Sequence, residues 1–246
     1  MIIKILIIFI IGLILGSFLN SLIYRLPLKI NLWQRSFCPK CNRKIKPGDL
    51  VPLFSFLKLK GLCRFCKQNI SGQYFFVELL TAILFVLFFI KHTEVNIFLI
   101  RDFFLVFILL LILFIDFKHQ LILDNIIWPA FLVVLIFNFY LGLGLLNLLL
   151  GIIIGAGFFA LQYFLTKGNG IGFGDIKFGV LIGIIFGWQL TILTIVISYI
   201  IGGGVALLLL VSKTKKIGDK LPLAVFISSA AIIVLLIGDY ILKFLN

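Results

Sequence analysis

Residues 97–116 read IFLIRDFFLVFILLLILFID: an adjacent Arg101-Asp102, thirteen uninterrupted apolar residues, and then Asp116. Twenty residues of helix rise about 30 Å, the thickness of the hydrocarbon core of a bilayer. This stretch therefore predicts a membrane span ending on a carboxylate. An ionisable group at the edge of hydrocarbon is costly, and function is its default explanation. Asp175 has the same setting, in Gly172-Phe173-Gly174-Asp175-Ile176-Lys177 at the start of another apolar run.

Composition generalises the reading from one segment to the chain. Of 246 residues, 63% are hydrophobic, and the mean hydropathy is +1.27. A soluble core does not need so much apolar sequence. The expected class is an all-α polytopic membrane protein with about eight transmembrane helices and a small cytoplasmic zinc-binding loop domain. The spans fall at about 3–24, 74–91, 97–115, 122–141, 145–166, 176–188, 190–211 and 222–243. Residues 5–23 are too long for a signal-peptide core and no small-residue cleavage site follows, so they are expected to stay as the first span. In the sixth span Gly179, Gly183 and Gly187 recur every four residues, which gives one smooth face for close helix contact.

Basic residues set the expected orientation. With the amino terminus outside, 18 of the 22 lysines and arginines fall on inner segments; only Lys4, Lys91, Arg101 and Lys243 fall outside. This bias places Asp116 and Asp175 together on the cytoplasmic face. It also accounts for most of the net charge of +13. Anionic lipid headgroups are a fitting neighbour for that charge, and no nucleic-acid partner is expected.

The one sizeable polar segment, 25–72, holds all four cysteines, as Cys38-Pro39-Lys40-Cys41 and Cys63-Arg64-Phe65-Cys66. Two such pairs read as one tetrahedral zinc site. Disulfides do not suit a cytoplasmic face. Four thiolates leave no open position, so the metal is structural and supplies folding energy to a loop too small to order itself. The chain thus divides into 1–24, the first span; 25–72, the four-cysteine segment; and 73–246, the remaining membrane domain.

Nine acids are present. Glu94, Asp102, Asp219 and Asp239 read as solvated or topological, and Asp49 as part of a turn beside Pro47-Gly48. Asp124 opens the fourth span, where it either caps the helix or supports the site. Glu78 sits in the first turns of the second span, where the helix dipole favours a carboxylate. Asp175 follows alternating Gly168, Gly170, Gly172 and Gly174, which let the backbone bend and approach a neighbour. Two aspartates in one place share a proton. The charged member can take a proton from water while the neutral one protonates a carbonyl, which is peptide hydrolysis without a covalent intermediate. A proton-coupled transporter could use the same pair as a relay, although its sites belong nearer the bilayer midplane. A zinc-ribbon membrane scaffold would explain the loop and leave the aspartates unexplained. Lys177 reads most simply as a snorkelling side chain, with substrate or phosphate contact as the alternative.

Over nearly its whole length the chain resembles the type IV prepilin peptidases, bifunctional leader peptidase/N-methyltransferases. The likeness is carried by Gly16-Ser17-Phe18-Leu19-Asn20 with Tyr24-Arg25-Leu26-Pro27, by the two cysteine pairs, and by Val77-Glu78-Leu79-Leu80-Thr81-Ala82. Ile115-Asp116 and Gly172-Phe173-Gly174-Asp175-Ile176-Lys177 carry the rest. Two motifs depart from the family. Ile122-Leu123-Asp124 stands where the family has Ile-Pro-Asp, and Pro222-Leu223-Ala224-Val225-Phe226 where it has a run resembling Pro-Phe-Gly-Pro-Phe.

The resemblance implies catalytic Asp116 and Asp175, supported by Asp124, Gly172, Gly174 and Lys177. It implies zinc on Cys38, Cys41, Cys63 and Cys66 in a segment associated with methylation. It also implies S-adenosylmethionine as methyl donor, with contacts sought around Gly16, Asn20, Arg25 and Glu78. The implied substrates are prepilins or pseudopilins, cut after a glycine at the cytoplasmic face of a bacterial inner membrane. The nearest rival within that class is a membrane aspartyl peptidase without methylation, which the cysteine segment argues against.

Overall fold

A computed structural model describes residues 1–216 and 218–245, with the side chains of Asp239, Phe244 and Leu245 left out. The expectation for Asp239 therefore lies outside the described residues. Long helices dominate: α1 (Ile2–Arg25), α3 (Gln73–His92), α4 (Ile97–His119), α5 (Asp124–Tyr140), α6 (Leu145–Leu165), α7 (Phe173–Val211) and α8 (Leu223–Leu245). The short α2 (Phe54–Lys58) and a 3-10 turn at Pro47–Asp49 lie in the cysteine loop. Among the described residues the extended pairing amounts to two isolated bridges, both in that loop.

Among the described residues five helices, α1, α3, α4, α6 and α7, are long and apolar enough to cross a membrane; α5 and Leu223–Gly238 of α8 are shorter apolar helices. Their outer faces present Ile136, Ile153, Leu161 and Leu207 to the surroundings. In water such faces would be costly; in lipid they are the expected surface. The chain is an integral membrane protein of all-helical class. The helix limits match the expected spans to within a few residues, except that the sixth and seventh belong to one helix, α7, interrupted at Gly187.

The chain forms two compact units, residues 1–107 and 108–246. In the first, α1 lies so close to α3 that a Cβ on Gly12 or Gly16 would meet the Cα of Ala82 or Glu78. Leu19, Ile23, Val77, Phe85, Phe88 and Leu105 fill its core. Asp102 is fully buried there, with His92 Nε2 at 2.8 Å and Arg101 at 2.9 Å. The solvated role expected for Asp102 therefore does not hold. A carboxylate taken out of water needs partners, and the His92 ring and the Arg101 guanidinium provide them.

In the second unit α6 and α7 meet through glycines. A Cβ on Gly151 or Gly155 would strike the backbone of Gly183 or Gly179, and the reverse is equally true. The smooth face read from Gly179, Gly183 and Gly187 is used in this way, backbone against backbone. Phe159, Phe178 and Leu181 close the core beside it.

Candidate active site and metal centre

Asp116 sits in the last turn of α4, and Asp175 in the first turn of α7. Both carboxylates are buried and both line one cavity of about 360 Å³. Three further segments complete the wall: Gln120–Ile122 after α4, Gly168–Gly172 before α7, and Lys220–Leu223 leading into α8. One oxygen of Asp175 is engaged, because the Gly172 N–H donates to Oδ2 at 2.9 Å. That bond closes the first turn of α7 and fixes the carboxylate where the helix begins. Asp116 faces the backbone amides of Ala224 and Val225, while its Oδ2 has no protein partner. A buried acceptor without a partner is rare, and inside a cavity it is an open position for water or substrate.

The glycines of the motif do different work. A Cβ on Gly174 would lie 2.9 Å from the Ile122 Cβ, so the start of α7 and the chain after α4 can meet only at glycine. At Gly172 a Cβ would find ordinary contact distance, and the backbone there is extended. Gly168 has φ +75° and needs a residue that tolerates the left-handed region. Gly174→Ala should therefore reduce cleavage at least tenfold, while Gly172→Ala stays within about threefold. Initial rates on a peptide substrate check this, and the order of the two variants matters more than the size.

Asp124 is the first residue of α5 and makes no cap bond; Leu123 occupies the cap position in an extended conformation. Of the two roles read for Asp124, the cap is not made, and its carboxylate forms an ion pair instead. Lys177 Nζ lies 2.6 Å from Asp124 Oδ1, and over the Phe173 ring at 5.2 Å. Lys177 therefore ties the start of α7 to the start of α5, which snorkelling alone does not describe.

The remaining polar cluster belongs to the first unit. Glu78 Oε2 accepts the Leu53 N–H at 2.8 Å, and Leu53 caps α2 with φ +57°. A buried carboxylate thereby holds the loop to α3 at a backbone position that bulky residues avoid. Asn20 is buried; its Nδ2 donates to the Tyr74 carbonyl at 3.0 Å and its Oδ1 has no partner. Arg25 is buried and donates to the Leu32 carbonyl at 2.6 Å. Gly16 serves the close contact of α1 with Glu78 on α3.

All four cysteine sulfurs lie within 4.8 Å of one another, and none is in a disulfide. Cys38 Sγ and Cys66 Sγ are 3.9 Å apart. A tetrahedron with metal–sulfur bonds of about 2.3 Å has edges of about 3.8 Å, so the donor set fits a zinc ion. Each pair sits on its own knuckle, offset by 25 residues. Phe37 bridges Lys44 around the first, and Leu62 bridges Asn69 around the second. Asn42 and Lys67 take the same left-handed turn, with φ +55° and +57°. The Cys66 and Phe65 amides pull the Cys63 thiol down to about 6, which favours the thiolate a metal needs. Asp49 has more to do than its turn: Arg64 grips it at 2.5 and 2.7 Å and holds its carboxyl below the ordinary range.

Comparison with known proteins now bears on these two centres. Residues 10–92 match the bacterial peptidase A24 N-terminal domain, and residues 103–207 match the type IV leader peptidase family. A Bacillus subtilis prepilin leader peptidase/N-methyltransferase is 34% identical across 97% of this chain and 96% of its own. The chain belongs to the type IV leader peptidase family. A Pseudomonas aeruginosa protein of the same name is 31% identical, covering 94% of this chain and 90% of its own. One from Vibrio cholerae is 42% identical over 138 residues, about half of each chain. No solved structure matches. In this family member the cavity wall at Lys220–Leu223 was not read from sequence, because the late motif departs from the family's. The signal available was Pro222, a proline at the mouth of the last apolar run.

Proposed function

We propose that the protein removes the leader from type IV prepilins or pseudopilins and then methylates the new amino terminus. The observation that carries the first step is the pair of aspartates, from two different helices, on one cavity with an unpartnered carboxylate oxygen. One carboxylate takes a proton from water as the oxygen attacks the carbonyl carbon. The other delivers a proton to the substrate, and the peptide bond breaks without a covalent intermediate. Gly174 lets the start of α7 close against Ile122, and the Gly172 N–H holds the Asp175 carboxylate. Asp124 and Lys177 brace the start of α7 and touch neither reacting atom.

The methylation step is placed in the first unit. Bound S-adenosylmethionine would supply an electrophilic methyl group. Gly16, Asn20, Arg25 and Glu78 mark the region where the donor and the amine would be held. The free Asn20 Oδ1 supports this, since it is a buried acceptor that a donor amine would satisfy. Zinc held by Cys38, Cys41, Cys63 and Cys66 would order the loop, and Glu78 ties the loop to α3. The basic bias supports a cytoplasmic location, at a bacterial inner membrane, for the chemistry, where a substrate keeps its helix in lipid and its leader in water.

Intact-mass analysis of a prepilin-like peptide, with and without S-adenosylmethionine, tests the reading. Loss of the leader plus the mass of one methyl group is the expected result. Leader loss with no methyl gain would leave a peptidase only. An uncut series of pilin-like peptides would remove both activities and return the aspartates to proton transport.

A further inference from the structure

α7 turns back on itself. Gly187 has φ +69° and ψ −174°, a region open in practice only to glycine. Beyond it Thr191 Oγ1 donates to the Ile182 carbonyl at 3.4 Å. In an unbroken helix nine residues span about 13 Å, so the segments before and after Gly187 run side by side.

Such a corner breaks several i→i−4 bonds of the helix ladder, and the bond between Trp188 and Ile184 is among them. In a continuous helix the Trp188 N–H would donate to the Ile184 carbonyl. Here two asparagines take the two halves of that bond. Asn147 Oδ1 accepts from Trp188 N–H at 3.1 Å, and Asn138 Nδ2 donates to the Ile184 carbonyl. Asn138, in the last turn of α5, is wholly buried; Asn147 lies in the first turn of α6. The α5–α6 turn therefore grips the corner from both sides. A Cβ on Gly187 would run into the Asn147 side chain, so the fit is closed.

The corner joins two parts of the site. The segment before it carries Asp175. The segment after it lies along α8, with Gly202 against Phe226 and Leu190 against Gly238. α8 in turn begins with the amides that face Asp116. The glycine contacts bring α6 and α7 close, and the two directed hydrogen bonds add fixed partners at one depth.

We infer that Asn138 and Asn147 are positioning residues for hydrolysis. By holding the corner at Gly187 they set where Asp175 stands relative to Asp116. The inference rests on the reading of these aspartates as the hydrolytic pair. A misplacement of about 1 Å in a catalytic constellation costs up to about a hundredfold.

The test uses the full-length protein in lipid nanodiscs with a prepilin-like peptide. Asn138→Leu and Asn147→Leu should lower kcat at least tenfold and leave KM within about twofold. Asn147→Asp keeps the acceptor and should stay within about threefold of wild type. As the carboxylates separate, their two apparent pKa values converge, so the pH–rate bell of the leucine variants should change width. Methylation of an already cut peptide should be unchanged in all three. Wild-type kcat and pH profile in both leucine variants would overturn the inference. So would a parallel loss of methylation, which would mean general collapse. If the aspartate reading itself is at fault, Asp175→Asn cleaves like wild type, a result no asparagine variant can give.

Discussion

Asp116→Asn and Asp175→Asn should each abolish leader cleavage, by at least about a thousandfold, while leaving the protein folded in the membrane. The size follows from the chemistry. An amide can neither take a proton from water nor pass one to the leaving amine, and losing a general acid or base typically costs 10²–10⁴-fold. The structural cost is small, because asparagine keeps the shape of aspartate and the Gly172 N–H can still donate to an oxygen at position 175. Methylation of a synthetic, already cut peptide should survive in both variants, since its expected residues lie in the other unit. Single-turnover mass analysis separates the two steps. Cleavage above one per cent of wild type in either variant would remove that aspartate from the chemistry.

Metal loss should have the opposite profile. Zinc chelation, or Cys66→Ser, should unfold residues 25–72, make them sensitive to protease, and stop methylation. Structural zinc contributes on the order of 10–16 kcal/mol to small sites of this kind, more than a loop of this size gains from burial. Cleavage should fall far less, because the four sulfurs lie in the first unit and the aspartate cavity in the second. The measurement pairs metal content by mass spectrometry with limited proteolysis of the loop. A stripped protein with an intact loop and full methylation would show that the metal is dispensable.

How much of this was legible in the chain depended on whether the cause was local. Spans show in sequence because the bilayer fixes their length, and the limits of α1, α3 and α6 follow from that alone. Asp116 and Asp175 show because polarity in an apolar run is expensive. The cysteine pairs show because ligand spacing is short-range. What needed structure was long-range pairing. Lys177 and Asp124 are 53 residues apart, and nothing local joins them. Asp102 carries no mark that distinguishes a buried ion pair from a loop charge. The α8 amides at Asp116 depend on a helix more than a hundred residues away. Asn138 and Asn147 were visible as polar residues in apolar spans, but what they bond appears only once α7 is seen to turn.

The four-cysteine loop is also on a short leash. Only residues 67–72 separate Cys66 from Gln73, where α3 begins. The seven steps from Cys66 to Gln73 reach at most about 25 Å when fully extended. A closed cysteine site cannot swing far from the start of α3 to meet a partner; the tether keeps it near the helix end. Anything the loop works on must be brought to the membrane edge, and a peptide with a lipid-embedded tail already satisfies that condition.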